Sequence, residues 1–222
     1  MYKLLTGLAL CTGVLATPLA AQGDAWQHKW FWGVQGGIIA YQSPTSTGWE
    51  TALTVGGHWL ITGGRSALYF AYDHVLFDEP NRGPGSSAIL DNSTTTGIRD
   101  VEFTRGRRVQ AHVYVVPLDN FIQPYLGGGF SIHQVTDGLP LGTFNTLSEA
   151  EGALRTIDEV STKAYPVFTG GLQLRFSRLA AFGHYQYMPQ GRNFLLTSAQ
   201  HVFAAGLRYA LTNSREEVTT RR

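Results

Sequence analysis

The sequence predicts an all-β fold, an eight-stranded antiparallel up-and-down barrel that crosses a membrane, and three observations carry that reading. Side chains alternate in polarity at every second residue in eight separate runs. The links between those runs alternate between minimal and long. The non-apolar face of each run mixes glycine, hydrogen-bonding rings and arginine, with hardly any lysine. Period two means strand, because successive side chains leave a strand in opposite directions.

The first residues, "MYKLLTGLALCTGVLATPLAAQGDAW", have the parts of a secretory signal peptide. Lys3 is the charged start, Leu4 to Leu15 the short apolar centre, and Ala20 and Ala21 the small residues before cleavage. Residues 1–21 are therefore expected to be removed. The apolar centre is too short for a spanning helix. The single cysteine, Cys11, lies inside this segment, so the exported chain has neither a disulfide nor a thiolate metal site.

Without Lys3, 16 basic residues face 16 acidic ones, which leaves no field to attract nucleic acid. The remaining length suits one domain. No later apolar run approaches the roughly twenty residues of a transmembrane helix. Glycine (26 residues) and aromatics (12%) are plentiful, which favours β structure.

The eight predicted strands are Lys29–Gln42, Trp49–Ile61, Ala67–Phe77, Val101–Val116, Gln123–Val135, Ala164–Ser177, Leu179–Met188 and Gln200–Leu211. Each has about the ten residues that a tilted strand needs to cross a bilayer. The barrel is thus assigned to residues 22–211, and the charged end 212–222 reads as a disordered periplasmic tail.

"TGGRS", "PLDNFI" and "SR" are tight connections, whereas residues 78–100 and 136–163 are long and polar. Short turns at one end and long loops at the other are the layout of an outer-membrane barrel, with its turns in the periplasm. Within the second long link, "SEAEGALRTIDEV" shifts to helical spacing at Ala150, Ala153, Leu154 and Ile157. Ser148 and Glu151 there make a capping-box pattern that predicts a short helix.

With the apolar faces outward, the interior receives Gln35, Glu50, His58, Asp73, Arg108, His112, His133, Arg175, His184 and Arg208. Small residues and rings suit a narrow lumen whose side chains interdigitate. Outward aromatics gather near strand ends: Trp30, Trp32, Trp59, Phe176 and Tyr209 at the turn end, Trp49 and Tyr187 at the loop end. Two aromatic belts fit two membrane interfaces. In hydrocarbon, strands survive only in a closed sheet, which pairs every backbone group.

"FWGVQGG" opening the first strand, "QPYLGGGFS" in the fifth, "YQYMPQG" ending the seventh and "FAAGLRYAL" in the last resemble the small outer-membrane β-barrels, typified by the OmpA transmembrane domain and the opacity/Omp25-like porin family. The likeness spans the chain after the signal peptide and is one of pattern. It implies a monomer in the outer membrane of a Gram-negative-type envelope, in contact with outer-membrane lipid and inserted by the barrel-assembly machinery. Such barrels commonly end on an aromatic residue, whereas here eleven residues follow Leu211.

The chemistry is read against packing. The four inward histidines (His58, His112, His133, His184) are expected to fill the lumen with hydrogen bonds rather than bind metal, since buried polar groups need partners anyway. Arg108, Arg175 and Arg208 are expected to pair with Glu50, Asp73 and Glu102, because an unpaired buried charge costs several kcal/mol. "FGHYQYMPQG" faintly resembles outer-membrane lipid A deacylases. At the spacing where those carry serine it has Gln186, which offers no nucleophile. The expected role is non-catalytic, structural or adhesin-like, without cofactor or metal. An extracellular ligand or host surface molecule would be met through loops 79–100 and 136–163. A narrow pore or small-ligand conduit is the second reading, and a lipid-modifying enzyme the third.

Overall fold

The computed structural model describes residues 28–42, 48–77, 100–118, 120–136, 138–141, 144, 146–176, 178–189, 196 and 198–213. The signal peptide assigned to 1–21, most of the link 78–100 and the end of the tail lie outside the described residues.

The elements in chain order are β1 (Lys29–Tyr41), β2 (Glu50–Thr62), β3 (Ser66–Leu76), β4 (Asp100–Glu102), β5 (Arg105–Val115), β6 (Ile122–Thr136), β7 (Leu139–Leu141), α1 (Leu147–Val160), β8 (Thr162–Phe176), β9 (Leu179–Met188) and β10 (Gln200–Asn213). Eight of the strands form a closed barrel in the order β1-β10-β9-β8-β6-β5-β3-β2, so each barrel strand lies beside its neighbours in sequence. Every pairing is antiparallel, and β10 closes on β1 from Lys29↔Asn213 to Ala40↔His201. Closure leaves no free edge.

Burial follows the alternation. In β3 and β5 it switches at every residue across the whole strand. The outer face is a continuous apolar belt: Val34 is 67% exposed, Leu126 70%, Phe130 68% and Phe168 60%. The outward rings sit where the sequence suggests. Trp59 stacks on Trp32 at 5.5 Å and meets Trp30 edge-on at 5.3 Å, which leaves it only half-exposed. At the other end Trp49 packs edge-on against His201, and Tyr187 lies beside the same ring.

Three expectations are corrected. The predicted strand Val101–Val116 is two strands: β4 leaves the barrel and pairs with β7 through Val101↔Pro140, while β5 begins at Arg105. The inside–outside phase slips between them, since Val101 and Phe103 are buried at odd positions and Gly106 and Arg108 at even ones. β10 runs two residues past Leu211, with Thr212 and Asn213 paired to Trp30 and Lys29, so the barrel extends beyond the expected boundary at 211. Helix α1 does form, but its N-cap is Thr146, whose Oγ1 accepts from the Glu149 backbone N–H at 3.3 Å. The pattern "TLSE" supplies the cap two residues before the expected Ser148.

The interior is not polar throughout. At the loop end an apolar cluster gathers Ile39, Val75, Phe77, Met188 and Val202 from the barrel. Val101 and Phe103 join it from β4 and its exit, and Ile157 from α1. A second cluster at the turn end contains Phe31, Leu60, Ala67, Tyr114 and Val116. Along β3, Asp73 lies between Ala71 of the second cluster and Val75 of the first.

Candidate functional site

The middle layer is organised by Asp73. Its Oδ1 accepts from Gln35 Nε2 at 2.6 Å. Its Oδ2 accepts from Arg108 Nη2 at 2.8 Å, Arg108 Nε at 3.2 Å and Gln110 Nε2 at 2.5 Å. Gln35 Oε1 in turn accepts from the Tyr69 hydroxyl at 2.6 Å. Asp73 and Arg108 are 1% and 0% exposed, so this pair is held away from water and depends on its hydrogen bonds.

Register puts these groups together. Gly56 faces Asp73 across β2–β3, Asp73 faces Arg108 across β3–β5, and Arg108 faces His133 across β5–β6. A β-carbon at Gly56 would collide with the Asp73 carboxylate and the Tyr72 carbonyl. The glycine makes the room in which the carboxylate collects its donors.

Around this hub the rings form a stack. Tyr69 lies 5.5 Å from His58, 5.5 Å from His112 and 5.1 Å from Tyr114. His112 Nδ1 is 3.3 Å from the Tyr114 hydroxyl and 3.3 Å from Thr169 Oγ1. His184 Nδ1 is 3.2 Å from the Tyr125 hydroxyl. Nearer the loop end, His133 Nδ1 is 3.1 Å from Gln200 Oε1. Gln173 and Gln123 hydrogen-bond to each other near the turn end.

Of the nine interior residues named from the sequence, seven are buried: His58, Asp73, Arg108, His112, His133, His184 and Arg208. The other two stand apart from the hub. Glu50 is the first residue of β2 at the loop end, and Arg175 is next to last in β8 at the turn end; both are half-buried. Asp73–Arg108 is an ion pair of the buried interior described, and the Glu102 side chain lies outside the described residues. Arg208 meets an aromatic face instead of a carboxylate, with Cζ 3.9 Å from the centre of the Phe182 ring. Gln35, Gln110 and Tyr69 complete the hub. Parity puts them inside too, but no single-residue signal marks them as members of the Asp73 network.

Among the described residues, no three of His, Cys, Asp and Glu come together in an arrangement that could hold a metal ion. Gln186, at the position where an acyl-transfer serine was sought, is fully buried on the inner face of β9.

A closed eight-stranded sheet with an apolar outside and a filled, partly polar inside has the fold of the small outer-membrane β-barrels. Among solved structures the chain is similar to the crystal structure of Neisserial surface protein A, NspA, with TM-score 0.54 and 12% identity over 82% of this chain and 97% of that one. Ail, the attachment invasion locus protein of Yersinia pestis, aligns with TM-score 0.43 and 9% identity, covering 82% of this chain and 99% of its own. The translocator domain of the autotransporter NalP from Neisseria meningitidis gives TM-score 0.35 and 11% identity over 87% and 91%. No protein-family model matches the sequence, and no curated protein matches it either. At such identities the likeness is one of fold.

Proposed function

We propose that this chain is a non-catalytic outer-membrane barrel with a structural or surface-interaction, adhesin-like role. The apolar belt supports the membrane setting. A monomer in water rarely exposes a contiguous apolar patch beyond a few hundred Å². Here the belt runs round the whole sheet, with Val55, Val113, Leu172 and Leu207 each at least half exposed. Lipid is the solvent such a surface suits.

The observation that carries the role is the division of labour along the barrel axis. Turns are minimal at one end; Gly63 N–H, for example, donates straight back to the Ser66 carbonyl at 2.8 Å. At the other end the chain builds extra structure, β4–β7 and α1, and anchors it by Val101, Phe103 and Ile157 in the barrel mouth. The outer side of α1 remains open, with Leu147 76% and Leu154 47% exposed. Loops displayed on a rigid scaffold are where binding resides.

The test replaces residues 138–160 by a short Gly-Ser link and compares attachment of expressing cells to host-matrix-coated surfaces. The link leaves the β6–β8 ladder intact, so the barrel should still insert and resist SDS before heating. Attachment should fall to the level of cells without the protein. Unchanged attachment by both forms would sink the adhesin-like reading.

A further inference from the structure

We propose that the turn-end half of the barrel interior is a binding site for a small monovalent anion of halide size, held between Arg208, His58 and His184. The starting point is charge. Among the described buried residues Asp73 is the one carboxylate, and its oxygens are already occupied by Arg108, Gln110 and Gln35. Arg208 is 1% exposed and has no carboxylate beside it. A buried charge without a counter-charge is strongly destabilising, so the fold needs something negative at this place.

The hydrogen-bonding inventory points the same way. The Phe182 ring covers one face of the Arg208 guanidinium. Stacking satisfies the face and leaves the N–H groups pointing outward in the guanidinium plane. Neither Nε nor Nη2 of Arg208 has a hydrogen-bond acceptor among the described residues, and neither ring nitrogen of His58 has a partner. His58 packs edge-on against the same Phe182 ring at 4.9 Å, and His184 lies 5.4 Å from it. The Tyr125 hydroxyl is 3.2 Å from His184 Nδ1. With that hydroxyl donating to Nδ1, the His184 proton sits on Nε2, which also lacks a partner. The cluster therefore offers N–H groups from three residues and no carboxylate. That is anion chemistry.

The sequence brings these donors together. Gly33 stands in register between Arg208 on one side and His58 on the other. A β-carbon at Gly33 would collide with the His58 ring and the Leu207 carbonyl. The missing side chain lets the His58 ring lie over Gly33, in register with Arg208. The apolar turn-end cluster closes the site toward the short turns, so the anion is trapped as the barrel forms and exchanges slowly.

The full chain is refolded into detergent with sodium bromide or, at equal ionic strength, with sodium gluconate, whose anion is far larger. At bromide tenfold above its dissociation constant, the unfolding equilibrium constant should fall about tenfold relative to gluconate. Crystals grown in bromide should show an anomalous peak within hydrogen-bonding distance of Arg208 and His58. Arg208→Gln should abolish both effects, and His58→Phe, which keeps a ring in place, should weaken them. Equal stability in the two salts, or a bromide effect that persists in folded Arg208→Gln, overturns the proposal. Should Arg208→Gln not fold, the wild-type map decides: an anomalous peak supports the site, and its absence refutes it.

Discussion

Asp73 and Arg108 are direct cross-strand partners on β3 and β5, and their side chains join at 2.8 Å where neither is more than 1% exposed. Breaking such a buried pair from one side leaves the other charge stranded, at a cost of about 3–5 kcal/mol. Asp73→Ala should therefore lower unfolding stability by roughly that amount in urea titrations followed by tryptophan fluorescence. The double variant Asp73→Leu/Arg108→Met should lose much less than the two single losses combined. Additive losses would mean that the pair is not an energetic unit.

Adjacent glycines on β2 separate the two faces of the sheet. Gly56 points in, where a β-carbon meets the Asp73 carboxylate, and Gly57 points out, where the nearest atom is the Gly33 carbonyl oxygen at 3.6 Å. Gly56→Ala should destabilise by about 1–3 kcal/mol through overpacking. Gly57→Ala should stay within about 0.5 kcal/mol, as for surface sites. The same urea titration reads both. Equal effects would mean that the inside–outside assignment of β2 is wrong.

These two glycines also show how far the sequence could be read. Alternation fixed which face of each barrel strand is which, because one face meets lipid-like surroundings and the other meets side chains. The apolar layer at the loop end was harder to see. In "GGIIAY" both Ile38 and Ile39 are apolar, and only parity puts Ile39 among the buried residues. Polarity alone says nothing once both faces are dry. The β4–β5 break left a clearer trace in "VEFTRGRRV", where the odd positions change from apolar Val101 and Phe103 to charged Arg105 and Arg107. The amide partners of Asp73 were not legible, since which amides reach one carboxylate depends on barrel shear and on the room left by glycines.

The absence of cysteine after Cys11 makes orientation directly testable. Single cysteines at Leu154, on the exposed side of α1, and at Gly64, in the exposed β2–β3 turn, sit at opposite ends of the barrel. A membrane-impermeant maleimide added to intact cells should label the variant at position 154 and spare the one at 64 until the outer membrane is opened. The reverse pattern would invert the proposed orientation.

Conductance distinguishes a filled barrel from a pore, and three barriers in series oppose ions here. At the loop end Phe77 lies edge-on to Tyr41 at 5.5 Å and to Phe103 at 4.8 Å, which makes a ring plug backed by Ile157 of α1. Below it the Asp73 carboxylate gathers Gln35, Arg108 and Gln110 across the interior. An apolar constriction stops ions by excluding water, whereas the charged layer stops them by filling the cross-section with bonded side chains. The wild-type chain should therefore show no single-channel steps in planar bilayers at either polarity. Phe77→Ala/Phe103→Ala removes only the first barrier and should remain closed. Adding Asp73→Ala to that pair opens both layers but leaves the turn-end cluster of Phe31, Leu60 and Tyr114 in place, so the triple variant should remain closed as well. Steps from the wild type would show that the interior rearranges into a water-filled passage, and the conduit reading would then replace the structural one.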